Sequence, residues 1–120
     1  MFGKVDCVHP DGRFIAEYSG SKEERKLFFL GAVYLDDVFN IRGDSEDFIE
    51  PGSEDAWFVN CLMKGLGRKA VFNDSVLGWH IEHSRPSNTD HYSSRQILHK
   101  KQKEAEQDRR KYIGSLGKYL

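Results

Sequence analysis

Two pairs of side chains in this sequence have the types to do chemistry. Glu54 and Asp55 stand together just after Gly52 and Ser53, and His80 and His83 follow a short apolar segment downstream. A carboxylate can take the proton from a hydroxyl held against it, and a neutral imidazole can ligate a cation or contact a phosphate. Both pairs also have plain structural uses. Acids in the first turn of a helix are stabilised by its positive end, and a histidine at a strand end can simply be a surface or core residue. Two histidines with Glu82 nearby are fewer ligands than a closed zinc site needs, so no structural zinc is expected.

The elements that must position these residues can be read around them. Ser53 is placed to cap a helix over residues near 53–65, and Trp57, Cys61, Phe58 and Leu62 recur at helical spacing on its inner face. That face should pack on a small sheet, with Gly65 or Gly67 ending the helix. "RKAVF" then predicts a strand, "ND" a turn, and "SVLGW" a second strand that delivers His80 and His83 at its end. Trp57, Phe58 and Trp79 are expected in the core, although an aromatic ring beside the acids could stack on a sugar.

Upstream, "GKVDCV" and "RFIAEY" flank "HPDG", the pattern of a hairpin. "SGSKEERK" is a surface loop or a short helix, and the apolar run "LFFLGAVYL" predicts a buried strand. "LDDVFNIRG" predicts a short helix stopped by Gly43, and "DSEDFIEPG" a loop. Beyond Pro86, a loop leads into "RQILHKKQKEAEQDRRKYI", a long polar helix with a thin apolar stripe of Ile97, Leu98, Ala105, Tyr112 and Ile113. Lys100 with Glu104, and Glu106 with Arg110, are opposite charges four apart on it. The chain thus divides by character into a mixed α/β part, 1–90, and a helical tail, 91–120, lying on the surface or docked on a partner.

Composition bounds what these elements can serve. At 120 residues, with 38% apolar and 12% aromatic side chains, the chain suits a single globular domain with a modest core. Its 18 basic residues nearly balance 19 acidic ones, so charge gives no reason to expect nucleic acid or an anionic membrane as partner. Acids interspersed through the basic run of the tail weaken a nucleic-acid role further. Cys7 and Cys61 form no CxxC motif and suggest no disulfide framework, which fits the reducing cytoplasm. No apolar run approaches the ~18 residues of a membrane span.

The ordered set "PDGRFIAEYSG", "FFLGAVYLDDVFNIRGDSEDF" and "GSEDAWFVNCLMKGLGRKAVFNDSVLGWHIEHS" resembles the acceptor-side, C-terminal half of family-2 glycosyltransferases, from about residue 3 to residue 88. In that family an apolar strand feeds a short helix and a glycine-acid turn. A Glu-Asp pair then opens a helix with a basic, glycine-containing exit, followed by a hairpin and a histidine. The resemblance implies an α/β chain carrying part of the A-type nucleotide-diphospho-sugar transferase fold, with a small mixed sheet, packed helices and a long C-terminal helix.

It also implies roles. Asp55 matches the base that deprotonates the acceptor hydroxyl, with Glu54 beside it. His80 matches the family histidine that binds a divalent cation (Mn2+ or Mg2+) or contacts a phosphate, and His83 is a second choice for the metal. The partners implied are a nucleotide-sugar and a glycan or lipid-linked acceptor. Trp57 and Cys61 stand where many members carry a further Asp and an Arg. The family's nucleotide-binding β-α-β half, ending in Asp-x-Asp, has no counterpart in these residues. The expectation is therefore part of a glycosyltransferase, inactive alone and prone to self-association or pairing with that half; the alternative is a non-catalytic binding or assembly module.

Overall fold

The computed structural model describes residues 1–19, 30–49, 52–84 and 91–116. The expected loop or helix over "SGSKEERK" lies, apart from Ser19, outside these residues, as do the start of the "LFFLGAVYL" run and most of the loop around Pro86. The chain is mixed α/β, with a small mixed sheet of three strands among the described residues, and it forms two compact units, each interrupted in sequence.

The first unit comprises Met1–Ala32 and Ala70–Ser87. Its sheet has β1 (Phe2–Val8) in the centre, β2 (Phe14–Glu17) antiparallel on one side and β3 (Phe72–Ile81) parallel on the other. The hairpin closes where "HPDG" predicted it. His9 N–H donates to the Arg13 carbonyl, and Gly12, at φ 93°, donates to the His9 carbonyl, both at 2.8 Å. Beyond β2, the buried Ser19 hydroxyl accepts from the Val5 amide at 3.0 Å and extends the pairing of β1 with a side chain.

The expected pair of strands over 68–79 is one strand, β3. Between its pairings Phe2 with Phe72 and Lys4 with Leu77, two steps of β1 are matched by five of β3. The Asn73-Asp74 turn signal is absorbed there as a bulge, with Asn73 Oδ1 accepting from the Ser75 amide at 3.0 Å. Of "LFFLGAVYL", residues 30–32 lie along the start of β1: Gly3 N–H donates to the Leu30 carbonyl and Ala32 N–H to the Met1 carbonyl, both at 2.9 Å. Among its described residues only Gly31 makes a β-bridge, to Phe2, and Val33, Tyr34 and Leu35 are exposed. Trp79 is not core either: it is 70% exposed, in an alternating row with exposed Leu77 and Ile81. Its neighbours across the sheet explain this, because Lys4 pairs with Leu77 and Asp6 with Trp79, placing charge where an apolar layer would have to form.

The second unit comprises Val33–Lys69 and Asn88–Leu120. It contains α1 (Leu35–Asn40), α2 (Glu54–Asn60) continued by a wide π-helical turn (Cys61–Gly65), α3 (Tyr92–Gln107) and a 3-10 turn (Arg109–Lys111). Trp57, Cys61 and Leu62 are buried, as their spacing predicts. The core they join is made with Ile41, Ala105 and Tyr112, and Phe48, Phe58 and Leu98 pack against it.

The thin stripe of α3 has its partner within this unit. Ala105 has no bulk to hold the helices apart, Gln102 donates to Asn60 Oδ1 at 2.8 Å, and Lys101 reaches Asp47 at 2.6 Å. Helix α3 ends at Gln107, so Arg110 is off the helical face of Glu106 and pairs with Asp108 at 3.0 Å instead. Asp37, buried in α1, takes a two-pronged bond from Arg68 at 2.8 and 2.9 Å, which ties the start of α1 to the exit of the π-helical turn.

Candidate functional site

Glu54 and Asp55 open α2 as expected, but Ser53 does not cap it. Ser53 has φ 68° and makes no side-chain capping bond, although its carbonyl accepts from the Trp57 amide at 3.1 Å. A left-handed residue at this position turns its side chain away from the early amides, and Asp55 serves one of them. Asp55 Oδ1 accepts from the Ala56 N–H at 2.7 Å, which fixes the carboxylate and leaves its other oxygen free of that bond. Glu54 Oε2 is enclosed and has no hydrogen-bond partner among the described residues. A carboxylate oxygen enclosed without a donor is costly, and such atoms call for an explanation.

A third acid, Asp44, lies in the expected loop and is near enough for the charges of both to act on it. Asp44 follows Arg42 and Gly43, two consecutive residues in the left-handed region at φ 62° and 65°. Partial burial pushes its carboxyl above the ordinary aspartate range, the Ser45 amide at 2.8 Å opposes that push, and the charges of Glu54 and Asp55 add to it. The residue is exposed at its surface, so solvent limits the size of the effect. The sequence marks Asp44 as the acid of a glycine-acid turn and carries no sign of which residues neighbour it.

Trp57 follows these acids but is 1% exposed, stacked on Tyr112 at 5.6 Å between ring centroids, and bonded from Nε1 to the Ile113 carbonyl at 3.1 Å. It has no free ring face for a sugar. Cys61 is fully enclosed below it, and burial pushes its thiol up to about 12, so it is no nucleophile.

His80 and His83 belong to the first unit. The His80 ring stacks on Tyr18 with centroids 4.1 Å apart and planes 10° from parallel, and lies 5.4 Å from the His83 ring. Tyr18, at the end of β2, carried no sequence signal for this contact. His80 Nδ1 is enclosed without a partner among the described residues. His83 Nδ1 lies 2.9 Å from the Ser84 carbonyl, which can only accept, so that nitrogen carries a proton. Mn2+ and Mg2+ prefer oxygen donors; the His80 ring is taken up in the stack with Tyr18, while the bond from His83 Nδ1 to backbone leaves its Nε2 as the nitrogen a cation could meet. Among the described residues no group of three or more His, Cys, Asp or Glu is arranged to hold a metal ion. No helix among them is long and apolar enough to cross a membrane.

The histidines thus sit on the sheet and the acids at the mouth of α2, each set in its own compact unit. Compared with known proteins, the chain matches no family model, no curated protein and no solved structure.

Proposed function

We propose that this chain is the acceptor-side part of a glycosyltransferase of the family-2 type, a cytoplasmic protein that presents a hydroxyl acceptor to a nucleotide-sugar held by a β-α-β unit. The observation that carries this proposal is the Glu54–Asp55 pair opening α2, with Asp44 near enough for their charges to act on its carboxyl. Asp55 is anchored through one oxygen by the Ala56 amide, and beside it in the sequence Glu54 Oε2 is enclosed without a partner among the described residues. Support also comes from the order of motifs around these acids. In that role Asp55 accepts the proton of the attacking hydroxyl, and Glu54 orients the acceptor by hydrogen bonds to neighbouring hydroxyls.

The test is an amide NMR titration of the chain with oligosaccharides and, separately, with nucleotide-sugars. Millimolar oligosaccharide is expected to shift the amides of residues 44–46 and 54–56 while nucleotide-sugars leave them in place. No perturbation by any acceptor would remove the proposal. In the assembled enzyme, Asp55→Asn keeps side-chain size and is expected to lower turnover by the ~10²–10⁴-fold of a lost general base, with little change in folding. The chain alone is expected to release no nucleoside diphosphate.

A second function, a non-catalytic assembly module, is favoured by the exposed row Leu77, Trp79 and Ile81 on β3. It predicts concentration-dependent association in sedimentation experiments that Trp79→Lys abolishes, and no response to sugars.

A further inference from the structure

The segment after the 3-10 turn runs back over the turn that carries Asp44. Gly114 N–H donates to the Ile41 carbonyl at 2.6 Å, Ser115 N–H to the Asp44 carbonyl at 2.9 Å and Leu116 N–H to the Arg42 carbonyl at 2.8 Å. The buried Ser115 hydroxyl accepts from the Glu46 amide at 3.0 Å, and the Ile113 carbonyl receives the Trp57 indole. Five hydrogen bonds thus join residues 113–116 to residues 41–46 and to the core tryptophan. The approach is closer than any side chain would permit: a Cβ on Gly114 would run into the carbonyl oxygens of Gly43 and Arg42.

The turn beneath this strap needs holding. Arg42 and Gly43 are both left-handed, a conformation that costs a non-glycine residue free energy and persists only when its surroundings enforce it. Gly43 donates to the Val38 carbonyl at 2.7 Å, so α1 fixes one side of the turn. The strap fixes the other, through the carbonyls of residues 41, 42 and 44 and the amide of residue 46.

We propose that residues 113–116 are a latch that positions the acid turn, so that Asp44 stands beside Glu54 and Asp55 when the latch is closed and leaves them when it opens. The latch holds whether or not the acids do chemistry, so it can stand or fall apart from the proposed function. Its release would open the mouth of α2 and loosen Trp57 in one event, because Ile113 serves the indole and the next three residues serve the turn.

The experiment follows the Asp44 side-chain carboxyl by carbon-detected NMR across an acid titration, together with amide hydrogen exchange, in the full chain and in Ser115→Ala and Gly114→Ala. Wild type is expected to titrate above the ordinary aspartate range, with the amides of residues 114 and 116 protected. Gly114→Ala is expected to lose that protection by ten-fold or more and to move the Asp44 titration down, while α3 amides stay protected. Ser115→Ala, which removes one bond, should move both readouts the same way by less. Loss of strap protection with an unchanged Asp44 titration would overturn the proposal, as would strap protection that survives Gly114→Ala. Global unfolding of both variants would also overturn it, by making the strap an inseparable part of the core.

Discussion

The two tryptophans of this chain measure how differently its two units are built. Trp57, in the helical unit, is 1% exposed and gathers Tyr112, Cys61, Leu62, Ile41 and Ala105 around it. Trp79, in the sheet unit, is 70% exposed, in a row with Leu77 and Ile81 that faces Lys4 and Asp6 across the strands. Both residues lie in apolar stretches of the sequence. What separates them is the second layer. Trp57 finds one in α3 and the strap, segments far downstream of it in the sequence, whereas the face bearing Trp79 receives charged neighbours. Apolar content in a segment therefore says that burial is attainable, and the opposing element decides whether it happens.

That contrast yields the largest expected effect. Trp57→Ala removes a fully enclosed ring and its indole hydrogen bond, and should cost about 3–5 kcal/mol in urea unfolding. For Trp79→Ala the expectation is within about 0.5 kcal/mol of wild type, since an exposed side chain has little packing to lose. Equal losses at the two sites would show that the sheet face is covered in solution and the contrast is false. The cysteines offer the same comparison through chemistry. Cys61 is fully enclosed with its thiol pushed up to about 12, while Cys7 is half-buried on β1. Iodoacetamide should modify Cys7 in the native chain and reach Cys61 only at the rate of unfolding, a difference readable by mass spectrometry of timed digests.

A middle-sized effect tests how tightly the second layer closes on the first. Gly65 ends the π-helical turn where a Cβ would stand 2.9 Å from Tyr112 Cβ and 3.2 Å from its carbonyl oxygen. Neither atom is the far end of a flexible side chain, so Gly65→Ala must shift backbone. It should cost about 1–3 kcal/mol by overpacking. A neutral result would mean that the 3-10 turn rides loosely on α2, and that Trp57 owes its burial to α3 alone.

Local elements were legible where one short signal decides them. "HPDG" marks the hairpin, and the spacing of Trp57, Cys61 and Leu62 the inner face of α2 and its extension; Gly43 marks the exit of α1 one residue late, since the helix ends at Asn40 and Arg42 is the first left-handed residue after it. Elements that depend on distant partners were not. "LFFLGAVYL" has the composition of a buried strand, yet its described part makes one bridge, because pairing is decided by the register of β1. The thin stripe of Leu98, Ala105 and Tyr112 is compatible with a tail on the surface or docked on a partner, and does not say that the partner lies in the same chain; a thin stripe is enough when that partner is a helix approached closely through alanine and glycine. At the site, the acid pair was legible as adjacent carboxylates opening a helix. Asp44 was not, since its place beside them depends on a left-handed turn and a strap contributed from the far end of the chain.

The smallest effect probes whether those acids meet. Asp44→Asn keeps the oxygen that accepts from Ser45 and removes a charge from the neighbourhood of Glu54 and Asp55. Because the folded chain holds this carboxyl above its ordinary value, the folded state binds the proton more readily than the unfolded one. The group's stabilising contribution is therefore fully present below the unfolded value and is lost as pH rises through the folded one. At neutral pH the Asn variant should be the more stable by a few tenths of a kcal/mol, a small gain because solvent screens the exposed side of Asp44. As pH falls through the carboxylate range that advantage should shrink and vanish, since wild-type Asp44 then takes up its proton and becomes nearly as neutral as asparagine. The measurement is the urea midpoint of both proteins at half-unit pH steps between 3 and 7. Parallel curves would mean that the folded chain leaves the Asp44 carboxyl at its ordinary value, with neither partial burial nor the charges of Glu54 and Asp55 acting on it.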